Sequence, residues 1–530
     1  GNADFQKDRY GNEVVPESKK VQQWQTKMLR DASGMVSDDL LLELSAGKHV
    51  WTLSCEQSEM LIGKVALLPV ETDSFNEEGE PQGAGLYILP GEKPTYKSDS
   101  TIRPGGEYNP DLRPYQAGNT VMNMLDGNSF SAGEQRVTYS FTVEQDGYYA
   151  IGIRYRQDAK ANFPVYRDIY IDDKIQSPSY AVVPFDYTTK FQNKEVRNKQ
   201  TDRLAGVWLT AGETHTISLQ VNLESLASVA QTVKNLVENV QALSLDITKM
   251  TGNNTEKYRD FDLNDYMPGI GDTLTGWADK VRDIYAELQA MARTDKKIGE
   301  FSTLPVCEKQ LRSMAKRPDE LPGRLNELAQ GQNSIAQYLA DVLERLYYSP
   351  LAIDEIYVYQ SEAVLPKNTN FFVRIWESVK RFFLSFGAKA YDKTAADNTE
   401  NLQVWVARSR QYVEIIQKMA DEKFASGTGV DISLMPDPGK LVLANAAGDS
   451  PDVALGVNYA LPYELALRGA LKDLHTFPDI SEVEARFKPG LVYPGRYNGG
   501  LFALPETTNF LVLFYRTDIL NNLNLTVPDT

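Results

Sequence analysis

Cysteine and histidine are scarce: two cysteines, Cys55 and Cys307, and three histidines stand among 530 residues. The cysteines lie far apart in segments of different character, so they build neither a disulfide framework nor a zinc site and read as free thiols. Positive charge is also in deficit. Lys and Arg number 55 against 72 Asp and Glu, a formal charge of -17, which lacks the clustered cations that nucleic acid or an anionic membrane requires. No run of eighteen apolar residues occurs, so no segment reads as a transmembrane helix. The opening GNADFQKDRYGNEV has no signal-peptide layout. Either the protein is cytoplasmic or an export signal precedes this sequence, and Gly1 read as a cloning remnant favours the second.

What is present is ordinary for folded domains: 42% hydrophobic, 24% charged and 28 tyrosines. A single core rarely grows past roughly 250–300 residues, so more than one domain is expected. SAGKHVWTL, from Ser45, and TAGETHTISL, from Thr210, nearly repeat one another. Alternation puts His215, Ile217, Leu219 and Val221 on one face and Thr216, Ser218 and Gln220 on the other, as a half-buried antiparallel strand requires. The first copy is followed closely by a closing strand, MLIGKVALLPVE from Met60; the second finds its equivalent only at LAIDEIYVYQSE from Leu351.

The 223–350 interval is helical. Leu226, Val229, Val233, Leu236, Val240, Leu243 and Ile247 recur at helical spacing, as do Leu321, Leu325, Leu328, Ile335, Leu339, Val342 and Leu346. This predicts a bundle of three or four helices inserted before the last strand of a sheet domain. Short alternating segments VTYSFTVE, GYYAIGIRYR and YRDIYIDD, without crossover helices, predict an antiparallel sandwich of jelly-roll type. Residues 363–400 read as a Phe-rich basic amphipathic helix with a polar linker, and from 401 strand and helix alternate as in α/β folds.

The fold class expected is therefore multidomain: antiparallel β jelly-roll sandwiches, the second with an α-helical bundle insertion, then an α/β segment. The boundaries are 1–72 for a partial β domain, 84–222 plus 351–362 for the second sandwich, 223–350 for the bundle, 363–400 for the helix and linker, and 401–530 for the α/β part.

MPDPGKLVLANAAGDSPDVALGV, PYELALRGALKDLHTFPDI, RYNGGLFALPETTNFLVLFYRTDIL and LNLTVPDT resemble, in order, the extracellular solute-binding proteins of bacterial carbohydrate ABC transporters. The upstream segments resemble galactose-binding-like modules, which certain large solute-binding proteins of Gram-positive bacteria carry. The resemblance implies a periplasmic-binding-protein-like lobe at 401–530, of which only the opening part is present. It also implies a carbohydrate ligand, ABC permease partners, contact with cell-wall glycan and a lipoprotein held at the outer cell surface, while the charge of -17 implies no nucleic-acid partner.

Ligand contacts in such a lobe come from loops at strand C-termini: Arg408, Ser409, Arg410, Asn458, Tyr459, Glu506, Thr507 and Asn509. In the jelly roll, Arg154 and Arg156 share a face with Gly152 and, with Tyr166, form candidate glycan contacts. Glu92 resembles the acidic position that holds a structural calcium in some such modules, and no other cofactor is implied. Catalysis is not expected. Asp172 with Asp173 and Glu77 with Glu78 are turn residues rather than converging carboxyls, and no nucleophile elbow or P-loop occurs. A non-transport surface or scaffolding protein is the alternative.

Overall fold

Apolar alternation along Thr214–Asn222 places that strand at the centre of a five-stranded antiparallel sheet. Ile217 stands opposite both Tyr139 and Ile171, and Leu219 opposite Val137 and Ile169. The computed structural model describes residues 75–252, 261–292, 296–368, 402–423, 430–435, 439–508 and 515–527, with shorter pieces between 4 and 69 and Thr294, Trp376, Glu377, Lys380 and Val512. It divides into two units, 1–377 and 378–530.

In the first unit a seven-stranded antiparallel sheet faces the five-stranded one. Its long members are Gly147–Gln157 and Ala352–Tyr359, paired so that Ala352 meets Arg156 and Tyr359 meets Ala150. Leu86–Pro90 lies on the other side of Ala352–Tyr359. Ile151, Ile153, Ile356 and Val358 from this sheet and Ile217, Leu219 and Val221 from the other share one core. Each such side chain contributes about 1.5–3 kcal/mol on burial.

Two details differ from the alternation reading. Ser218 and Gln220, expected on a solvated face, are buried. Ser218 Oγ exchanges a hydrogen bond with Thr138 and accepts from Arg136, so the polar face is covered and its groups satisfied. Residues 41–54 and 61–69 form no strand, and Val50, Leu53 and Leu61 are largely exposed. The strand pair expected there is not formed: His49 bonds Ser45 O and is exposed. An alternating segment is buried only when neighbouring strands pair with it. Nearby pieces instead touch the sandwich: Glu13 N–H donates to Thr120 O, and Arg30 pairs with Glu134 at 3.1 Å.

The insertion is helical, as its periodicity requires. Ala227–Thr251, Ile270–Met291, Thr303–Ala315 and Ile335–Tyr347 are its long helices, the first packing on the last and the second on the third. Every apolar residue of the two expected stripes is buried. The last stripe is not one helix, because Pro318 and Pro322 hold Pro318–Arg324 in a 3-10 turn and Gly331 ends the next turn. Ser334 then caps Ile335–Tyr347 by accepting from Gln337 N–H.

Arg167 fixes the point where the chain re-enters the sheet. Fully buried, its Nη atoms donate to Ser349 Oγ, Ser349 O, Phe130 O and its neighbour Tyr166 O, with the guanidinium over the Phe130 ring. Burial pushes it down to about 9.

In the second unit Leu402–Val406 is the middle of a three-stranded parallel sheet, flanked by Val430–Leu434 and Val453–Leu455. Helices Arg410–Lys423, Gly439–Ala447 and Ala460–Leu467 follow the strands in turn. The amphipathic helix expected within 363–400 falls almost wholly outside the described residues. Among the described residues no helix is long and apolar enough to cross a membrane.

Candidate functional site

Parallel strands point their C-terminal ends to one edge, where loops of an α/β sheet meet ligands. At that edge Arg408 follows Leu402–Val406, and Gly456, Asn458 and Tyr459 follow Val453–Leu455. Glu506 ties the two loops together. One carboxylate oxygen accepts the Gly456 N–H at 2.5 Å, and the other accepts Arg408 Nε at 3.5 Å. Gly456 is required there: its φ is +73°, and a Cβ would sit 2.9 Å from Ala407 O.

The structure thus brings Arg408, Glu506 and the 456–459 loop together. Glu506 serves in this state as an anchor for backbone rather than as an open acceptor. Asn458 caps, its Oδ1 accepting the Ala460 N–H at 3.0 Å. Ser409 is exposed, and its carbonyl accepts from Tyr412 and Val413 at the start of the following helix. Tyr459 is 80% exposed and offers an open ring, and Thr507 is exposed. Arg410 opens its helix. Asn509 lies outside the described residues.

The jelly-roll candidates are not brought together. Tyr166 belongs to Val165–Ile171 of the five-stranded sheet and is buried, whereas Arg154 and Arg156 stand on the seven-stranded sheet. Arg154 is no surface residue. Its Nε donates to Asp354 Oδ2 at 2.6 Å and its Nη2 to Asp111 O, both buried, and Nη2 also donates to Oδ1 of the exposed Asn368. Arg156 donates through both Nη atoms to Glu107, lies 3.0 Å from Asp158 and covers the Phe191 ring. Internal carboxylates claim both guanidinium groups, which corrects the reading of a ligand-gripping pair. Polarity along a strand does not reveal that loops 107–113 and 366–368 fold over this face.

Glu92 sits in the turn after Leu86–Pro90, buried, with Oε2 lacking a hydrogen-bond partner. Burial, with Asp354 and Glu355 nearby, pushes it up to about 7. Calcium takes six to eight oxygens. Among the described residues no group of three or more His, Cys, Asp or Glu gathers to hold a metal. Asp354, one of the two carboxylates that act on it, is engaged by Arg154. Carboxylate side chains alone therefore do not make up a calcium ligand set at Glu92 among the described residues.

One surface aromatic went unremarked in the sequence. Val207 and Leu209 are buried, so alternation puts Trp208 on the outer face, where it is 57% exposed. That spacing was the available signal.

Residues 228–346 match the family model for the bacterial solute-binding protein, 4-helix bundle domain. Among curated proteins, none matches this chain. Among solved structures, the chain is similar to a Paenibacillus sp. cycloisomaltooligosaccharide glucanotransferase complexed with cycloisomaltoheptaose, at 20% identity over 28% of this chain and 17% of that one, TM-score 0.18. It is also similar to the CBM35 of Paenibacillus barcinonensis (13% identity, 26% of this chain, 88% of that one, TM-score 0.19). A third is the family 35 carbohydrate binding module of Clostridium thermocellum (16% identity, 26% and 87%, TM-score 0.18). The helical insertion, set between two strands of an antiparallel sandwich, is similar to the four-helix-bundle domain of bacterial solute-binding proteins.

Proposed function

We propose that this chain belongs to the substrate-binding component of a bacterial ABC importer, which captures an oligosaccharide or related solute at the cell surface and hands it on unchanged. The observation that carries this reading is the match of residues 228–346 to the helical domain of bacterial solute-binding proteins. A parallel α/β segment with a loop edge suited to a ligand follows in the same chain. In this reading the lobe edge around Arg408, Tyr459 and Glu506 supplies solute contacts and the sandwich adds a glycan contact. The protein acts outside the cell, anchored at the surface, and its partners are permease subunits.

Thermal unfolding against a panel of neutral oligosaccharides tests it. A bound solute stabilises by RT ln(1 + [L]/Kd), about 2.7 kcal/mol at a hundredfold excess over Kd, and chromatography of the recovered sugar shows it intact. No shift with any member of the panel, or cleavage of one, would remove the main support.

A further inference from the structure

A cavity of about 340 Å³ opens at the edge of the seven-stranded sheet. Val207–Leu209 is the edge strand, pairing with Gly147–Gln157 in a register that sets Trp208 directly opposite Tyr148. The two rings meet edge to face, centroids 5.2 Å apart. Residues 76–79 form a strap along this edge, with Gly79 bridged to Gly206. The strap can lie so close only because both residues are glycines. A Cβ on Gly79 would fall 2.4 Å from the Tyr148 ring, and one on Gly206 2.3 Å from Gly79 O.

The cavity combines an open indole with acceptors. Asn76, Glu77, Gln176 and Ser177 line it beside Tyr148 and Trp208. Asn76 is held by Gln176, to which its side-chain amide donates. Glu78 accepts from Ser177 Oγ and Asn198, which pins the strap. Glu77 is exposed and has no protein partner among the described residues. No Lys or Arg lines the cavity.

We propose that this cavity is a pyranose-binding subsite for a glycan without acidic groups. A pyranose ring presents an apolar C–H face that stacks on an indole and a rim of hydroxyl donors that suit carboxylate and amide acceptors. The volume lies within the range of small-ligand pockets. Two carboxylates and no cation oppose a uronate. The site also stays clear of the helical insertion. Ala352, where the insertion returns, pairs with Arg156, and Tyr359 pairs with Ala150, so Tyr148 lies at the opposite end of the sheet.

This proposal rests on the reading of the sandwich as a glycan-contacting module, and titration calorimetry on the full chain separates the two. The probes are cellopentaose, mannopentaose and isomaltopentaose, with oligogalacturonate as the acidic comparator. At least one neutral probe binds, and Trp208→Ala weakens it about tenfold or more, while Trp208→Phe retains most of the affinity. Glu77→Gln, at an exposed residue with no polar partner among the described residues, weakens it severalfold and leaves the melting temperature unchanged. It therefore decides the matter even if Trp208→Ala misfolds. Binding indifferent to both Trp208→Ala and Glu77→Gln overturns the subsite and leaves the solute-binding reading standing. Tighter binding of oligogalacturonate overturns the assigned chemistry. No binding of any probe by the wild-type chain overturns both.

Discussion

Arg154 and Asp354 form an ion pair at 2.6 Å with side-chain exposures of 3% and 0%, joining the two long strands of the seven-stranded sheet. Ile353 pairs with Tyr155 and Glu355 with Arg154, so Asp354 is the extra residue of a bulge, which turns its carboxylate toward the guanidinium. Burial, with Glu355 beside it, pushes Asp354 upward, and Arg154 pulls the other way. Removing one partner leaves the other charge buried and alone. Arg154→Met or Asp354→Asn is expected to cost about 3–5 kcal/mol in urea unfolding, and Arg154→Met with Asp354→Leu to recover most of it. A single-variant cost below about 1 kcal/mol would contradict the burial described.

Lys160 makes a second test of buried charge. It is 2% exposed, its ammonium 5.8 Å from the Phe163 ring centroid. Burial pushes it down to about 7, Glu300 opposing and Arg167 reinforcing the fall. With the folded value below the unfolded one, the unfolded chain binds more protons between about pH 7 and 10, so stability rises with pH across that window. Lys160→Met is expected to flatten this slope and to stabilise the protein at pH 6 by about 1–4 kcal/mol. Denaturant midpoints at pH 6, 8 and 9.5 for both proteins measure it, and parallel curves would count against the assignment.

His215 runs in the opposite direction. Burial lowers its proton affinity, but the hydrogen bonds to Asp172 at 2.8 Å and to Thr210 outweigh burial and raise the group above 6.5. A folded value above the unfolded one gives stability that is fully present below about pH 6.5 and is lost as pH rises through the folded value. Asp172 is half exposed, so the effect is at most about 1 kcal/mol. His215→Gln is expected to abolish the decline between pH 6 and 8 in thermal melts, whereas His49→Gln, at an exposed ring, leaves it in place.

What could be read from the chain follows from the range of the interaction. The stripe from Leu226 to Ile247 is a local pattern, and each of its members is buried. The repeated strand around His215 was legible for the same reason, as was the interruption of the sheet between Asn222 and Ala352. Arg154 was misplaced because its partners, Asp111, Asp354 and Asn368, come from three distant segments and only folding joins them. Glu77 read as an idle loop acid, since nothing near it in sequence shows that residues 76–79 run beside Trp208. SAGKHVWTL shows the converse limit. Its alternation matches a strand, yet pairing rather than pattern decides whether a strand forms.

Tyr459 separates a binding role from a folding role at the lobe edge. It is 80% exposed and precedes Ala460–Leu467 without a side-chain cap bond, so Tyr459→Ala is expected to leave the melting temperature within about 1 °C of wild type. Gly456→Ala, by contrast, forces a left-handed backbone onto a Cβ that meets Ala407 O and the Arg408 side chain, with an expected cost of about 1–2 kcal/mol. If this edge contacts a sugar, Tyr459→Ala weakens solute affinity about tenfold by loss of a stacking surface. Glu506→Gln keeps one acceptor for the Gly456 N–H and loses charge opposite Arg408, so its unfolding free energy falls by no more than about 1 kcal/mol. Calorimetry of the three variants against the same oligosaccharide, beside their melting curves, checks the set. An affinity that tracks melting temperature across all three would mean that the edge acts only through folding, and a loss confined to Tyr459→Ala would place the sugar against its ring.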